Sequence, residues 1–97
     1  MSFRLNSKKD ANQTQIVKEL RAMYFQVDIV HRLKKLYDIV VSGKDANGVV
    51  KTLRVEIKMP NEKLTADEQE YHDKNMYPET LLIANSTEDV LKWYGRL

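Results

Sequence analysis

Asp38, Glu56 and Lys58 are the residues of this chain whose types and spacing could do chemistry. Glu56 and Lys58 lie two apart in "LRVEIK", a run that alternates as a β-strand does, so both point to one face. Asp38 stands in "LYDIVVSG", a second run rich in β-branched residues. Between the two, Asp45-Ala46-Asn47-Gly48 suits a type I turn with Asp first and a left-handed Gly last. That loop pairs Asp45 with Val49, Val41 with Leu53, Ile39 with Val55 and Tyr37 with Ile57. One face is then fully apolar, and on the other Asp38 stands opposite Glu56. A two-residue turn centred on Asn47-Gly48 would set Asp38 against Ile57, a costly carboxylate in the apolar face.

Directly opposed side chains have β-carbons roughly 5 Å apart, and two carboxylates there repel. Either one is protonated or a cation sits between them. Mg²⁺ or Mn²⁺ needs only one or two protein carboxylates and completes its shell with water and phosphate. Lys58, roughly 7 Å along the strand from Glu56, brings an ammonium to a metal-bound water or to phosphate oxygens. Metal, water activation and charge stabilisation are the minimum for hydrolysing a phosphodiester. The other reading of "LRVEIK" is a solvated strand face on which Arg54, Glu56 and Lys58 form surface pairs. His31 and His72 are isolated in sequence, where a surface or packing role fits each better than catalysis.

The elements that must position these residues follow from periodicity. Asp10 with Gln13 resembles a capping box, and Ile16, Val17, Leu20, Met23 and Tyr24 recur at helical spacing, predicting a helix over 10–25. "QVDIVH" alternates as a first strand, "LYDIVVSG" is a second and "VVKTLRVEIK" a third. "MPNEK" is a loop. Thr65 with Glu68 is a capping box that opens a helix to about Asn75, "TLLIA" is a short buried strand, and Ser86 with Asp89 starts a last helix. The order is αβββαβα, an α+β or α/β domain with short connections.

The chain has 97 residues, 42% hydrophobic and 31% charged, which is one globular domain over 1–97 rather than a disordered segment. It has no cysteine, which excludes disulfides, thiolate metal sites and a Cys nucleophile. "MSFRLNSKKD" has no apolar signal core, and no apolar run is long enough to span a bilayer, so an intracellular (cytoplasmic) protein with no membrane partner is expected. Net charge is only +2, but Lys8 and Lys9 form a basic arm over 1–9, and Arg32, Lys34 and Lys35 cluster in "HRLKKL". Such groups track phosphates or are ordinary solvated surface.

Asp38 followed by Glu56-Ile57-Lys58 after a hairpin resembles the PD-(D/E)XK nuclease superfamily. "DANQTQIVKELR", "YDIVVSG", "RVEIKMPNEKLTADEQEYH" and "LLIANSTEDV" look like its virus-type replication-repair nuclease (VRR-NUC) domain. The resemblance implies a restriction-endonuclease-like α/β core, a mixed sheet flanked by helices. It implies Asp38 and Glu56 as ligands of Mg²⁺ or Mn²⁺, with the backbone carbonyl of Ile57 as a further ligand and Lys58 as the catalytic lysine. Gln13 and Gln15 stand where the family often has glutamates, and Glu68 and Gln69 stand near its usual second-helix glutamine, as supporting residues. The activity implied is a structure-selective endonuclease on branched DNA, most like a Holliday-junction resolvase, held by Lys8, Lys9, Arg32, Lys34 and Lys35. A homodimer through Tyr77, Trp93, Tyr94 and Leu97 would place two active sites on one junction. The alternatives are a monomeric flap- or end-directed nuclease and an inactive DNA-binding module of the same fold.

Overall fold

The computed structural model describes residues 7–30 and 36–97. The order is α1 (Ser7–Ala22), β1 (Gln26–Ile29), β2 (Ile39–Lys44), β3 (Val50–Ile57), α2 (Ala66–Asp73), a 3₁₀ turn (Pro78–Thr80), β4 (Leu81–Ala84) and α3 (Thr87–Trp93). The αβββαβα order expected from the sequence is therefore the observed one. The four strands form an open mixed sheet in the order β1-β2-β3-β4, with antiparallel pairs up to β3 and a parallel β3–β4 pair.

The turn sets the register as its residues demand. Asp45 donates its amide to the Val49 carbonyl at 2.8 Å and accepts from the amides of Asn47 and Val49 through its carboxylate, while Gly48 takes φ +80°. Ile39 pairs with Val55 and Val41 with Leu53. Leu53, Val55 and Ile57 are thereby sent to one face with Ile39 and Val41, where Ile16, Val17 and Leu20 of α1 and Val90, Leu91 and Tyr94 around α3 complete the core. Arg54, Glu56 and Lys58 take the other face, where they meet α2.

Three expectations need correction here. The first helix already includes Ser7, so Asp10 lies inside its first turn rather than at an N-cap. It stops at Ala22 rather than Phe25, because Tyr24 takes the left-handed conformation (φ 68°). The Phe25 amide then returns to the Leu20 carbonyl and that of Tyr24 to Arg21, a Schellman ending that usually advertises itself with glycine. Gly95 makes the same ending after α3. Tyr94, expected at a dimer interface, is 1% exposed; its hydroxyl lies 2.7 Å from the Lys51 carbonyl and 3.2 Å from that of Val41, so it is a core residue. Trp93 is half-buried and donates its indole N–H to the Glu79 carbonyl at 3.0 Å.

Gly43 continues the core-facing row of β2, and the Phe25 ring lies where its β-carbon would stand. Gly43→Ala should cost about 1–3 kcal/mol of overpacking, read as a lower midpoint in denaturant unfolding with an unchanged slope.

Candidate functional site

The end of β3 is where the polar face is buried. Glu56 is 2% exposed and Lys58 3%. Three local features bring partners to them. Asp38, just ahead of β2, donates its amide to the Val55 carbonyl at 2.9 Å, and its carboxylate accepts from the Ile57 amide at 2.7 Å. Met59-Pro60-Asn61-Glu62 then turns back, with Asn61 at φ 71° and the Glu62 amide donating to the Met59 carbonyl. This is the Pro-Asn sequence a type II turn asks for, and it returns the Glu62 carboxylate to within 3.4 Å of the Lys58 ammonium. Finally, the Thr65–Glu68 capping box forms as expected. The Oε1 atom of Glu68 that caps the Thr65 amide at 2.8 Å also accepts from Lys58 Nζ at 2.7 Å.

Lys58 thus faces three carboxylates: Glu68 at 2.7 Å, and Glu56 and Glu62 at 3.4 Å each. Lys9, on the first turn of α1, reaches the same group, 3.5 Å from Glu62 and 3.8 Å from Glu56. Burial pushes the Glu56 carboxyl up to about 8, and the charges of Asp38 and Glu68 push the same way, against Lys58 and Lys9. Burial and these charges thus favour the protonated form of Glu56, one of the two ways to relieve the Asp38–Glu56 repulsion. Burial would also raise Glu68, but hydrogen bonds from Lys58 and from the Thr65 amide outweigh it and hold that carboxyl down at about 2. Burial alone would lower the Lys58 ammonium; the hydrogen bond to Glu68 and the charges of Glu56, Glu68 and Glu62 raise it instead. Lys58 is therefore a cation throughout the neutral range, able to orient and stabilise charge but not to serve as a base.

With Glu56 protonated, the carboxylates of Asp38, Glu62 and Glu68 face the two ammonium groups of Lys9 and Lys58. Ionising Glu56 would leave two negative charges unanswered, as many as one divalent cation carries, and oxygen donors suit a hard ion. Among the described residues no group of three or more acidic or histidine side chains is arranged to hold a metal. The pair Asp38 and Glu56 matches what Mg²⁺ takes from a protein when water and phosphate supply the rest.

The structure gathers Asp38, Glu56, Lys58 and Glu68, and adds two residues with different roles from those expected. Lys9, expected on DNA, is engaged by Glu56 and Glu62. Glu62 was missed, although the Pro-Asn turn and its position four residues after Lys58 were both visible. Gln15 is exposed and donates to Glu19, and Gln69 is exposed and donates to Asp73, so each serves its own helix. Gln13 lines a groove with Thr14, Val17, Lys18, Arg21 and Ile29. Ile57 contributes its amide to Asp38. Lys8 is exposed, and Arg32, Lys34 and Lys35 lie outside the described residues. No described helix is long and apolar enough to cross a membrane.

Residues 1–96 match the family described as sucrose-6F-phosphate phosphohydrolase. On that match, the chain belongs to this phosphohydrolase family. No curated protein and no solved structure matches the chain. The match overturns the resemblance to a virus-type replication-repair nuclease, and with it the expected cutting of branched DNA, the resolvase activity and the associated role in DNA repair and recombination. The fold is the expected mixed α/β type, an open four-stranded mixed sheet flanked by helices. Phosphohydrolases of this kind use Mg²⁺, in agreement with the divalent ion expected from the residues.

Proposed function

We propose that this phosphohydrolase releases inorganic phosphate from a small phosphate monoester, a sugar phosphate first, at the buried cluster of Asp38, Glu56 and Lys58. The observation that carries the reading is Glu56, a buried carboxyl set beside Asp38 and Glu68. Its ionised form is costly there unless something cationic answers it.

Asp38 and Glu56 would hold Mg²⁺, which supplies Lewis-acid polarisation of the phosphoryl group and an activated water. The Ile57 carbonyl, at the same strand end, is a further candidate donor. Asp38 is fixed for its part by the Ile57 amide. As a ligand Glu56 would be the ionised carboxylate, and Glu68, already ionised, keeps Lys58 charged beside it. Lys58 then directs its ammonium at a phosphoryl oxygen, where developing negative charge is best stabilised by a preorganised donor. Lys9, 3.8 Å from Glu56 and 25% exposed, would yield that contact to a bound ion.

The test is phosphate release with Mg²⁺, and separately with Mn²⁺, from sucrose-6F-phosphate, glucose phosphate and para-nitrophenyl phosphate. Bis-para-nitrophenyl phosphate serves as the diester control. Monoester turnover that stops on chelation is expected. Turnover of the diester alone, or no phosphate release with either ion, would overturn the reading.

A further inference from the structure

Two residues before Glu56 on the same face of β3, Arg54 is held in a way that leaves its charge unspent. Its Nη1 donates to the Tyr71 hydroxyl at 2.6 Å. Its Nη2 lies 3.0 Å from Asn75 Oδ1, 3.1 Å from the Tyr77 carbonyl and 3.2 Å from Thr80 Oγ1. The Tyr71 ring stands 5.9 Å from the guanidinium carbon. Every one of these partners is neutral, and among the described residues no carboxylate stands within ion-pair distance of Arg54. The cage fixes the plane of the guanidinium, and among the described residues nothing uses Nε–H or the second hydrogen of Nη1. A guanidinium so immobilised loses little further freedom on binding an oxyanion; because both of its forked edges run through the occupied Nη2, it meets the anion through single N–H donors with its full charge.

Arg54 also opens onto a cleft of about 510 Å³ whose walls include Leu36, Tyr71, Tyr77 and Lys74. Lys74 pairs there with Glu70 at 3.5 Å, but both side chains are more than two-thirds exposed, so the pair is weak and either can turn. Asp67 lies on the same wall and opposes an anion at the mouth; it is exposed, where its field is screened. Lys58 lies four residues along the same strand face from Arg54, about 13 Å between α-carbons, and the two side chains meet α2 one turn apart, at Glu68 and Tyr71.

We propose that Arg54 is a second anion subsite, taking a phosphate or carboxylate group of the substrate other than the phosphate that is hydrolysed. The natural ligand is then a small polyol with an anionic group at each end. Calling this group the second one rests on the proposed hydrolysis at Glu56 and Lys58; anion binding at Arg54 does not. The experiment therefore uses binding and no turnover, on metal-free protein. The Arg54 side-chain Nε–H resonance and the Tyr71 and Lys74 amides are followed by NMR during titration with fructose phosphate, fructose bisphosphate and phosphogluconate. The bisphosphate should shift these signals and bind about tenfold more tightly than the monophosphate, the return expected for one charge-assisted pair. A like response to phosphogluconate would extend the subsite to carboxylate, and its absence would restrict it to phosphate. Arg54→Lys should bring bisphosphate and monophosphate affinities within about twofold of each other. An Arg54 resonance unmoved by the bisphosphate in the wild-type protein would overturn the proposal, and that readout stands even if the variant does not fold.

Discussion

Glu56→Gln should abolish Mg²⁺-dependent phosphate release and yet make the metal-free protein more stable than wild type in alkaline solution. The two effects share one cause. Glu56 is buried beside Asp38 and Glu68, and its carboxyl is pushed up to about 8 from an ordinary 4.5. Between those values the folded protein holds a proton that the unfolded chain has released, so wild-type stability falls as pH rises through that window. The contribution is intact below about 4.5 and gone above about 8. Glutamine keeps the shape and the hydrogen-bonding capacity of the protonated acid without the ionisation. Its stability should therefore match wild type near the acidic end and exceed it by a few kcal/mol, on the order of the linkage energy, at the alkaline end.

Magnesium reverses the order. The ion competes with the Glu56 proton, so its stabilisation of wild type should grow as pH rises toward 8, while the glutamine variant gains little at any pH. Activity should fall by more than about a hundredfold, beyond the usual loss for disturbing only the surroundings of a metal ligand. Thermal unfolding of both proteins across this pH range, with chelator and with Mg²⁺, measures all of it. A variant with the wild-type pH profile would mean that Glu56 is already ionised and that the buried-proton account is wrong.

Much of this arrangement was legible because it is governed by local rules. Asp45 through Gly48 specify one turn, that turn specifies one register, and the register places Asp38 at the end of β3 beside Glu56. Thr65 with Glu68, and Ser86 with Asp89, announced α2 and α3 through side chains that need no tertiary context. What stayed hidden depended on distant packing or on an unusual residue. Tyr24 ends α1 in a conformation for which glycine is the ordinary signal. Lys9 looked like one of two adjacent surface lysines; only the placement of α1 beside the end of β3 distinguishes it from Lys8. Tyr94 looked like an interface aromatic because nothing in its neighbours foretells two backbone carbonyls at its hydroxyl. The activity itself was misread for a related reason. An acidic pair with a lysine describes a divalent-ion phosphate chemistry, and that chemistry does not say whether the phosphate is a monoester or a diester. The family match corrected that choice.

Lys58→Met should cost about 3–5 kcal/mol of stability and eliminate activity, and the two losses can be separated. The ammonium is buried against Glu68 at 2.7 Å and against Glu56 and Glu62 at 3.4 Å. Removing it leaves a buried carboxylate cluster with only Lys9 for company, which is the expensive way to break a buried pair. Glu68 reports the change. Its carboxyl is held at about 2, so in wild type it contributes stability above its ordinary 4.5 that is lost as pH falls toward 2. Without Lys58 that acid-side loss should flatten. Mg²⁺ should stabilise the methionine variant more than wild type, because the deficit of positive charge has grown. Adding Glu68→Gln to Lys58→Met removes the charge that Lys58 chiefly answers, so most of the lost stability should return. The cycle of single and double variants reads the coupling directly. Phosphate release should not return, because the ammonium that meets the phosphoryl oxygen is still missing. A stable, active double variant would show instead that Lys58 serves only to neutralise Glu68, and the phosphoryl group would have to be stabilised from elsewhere.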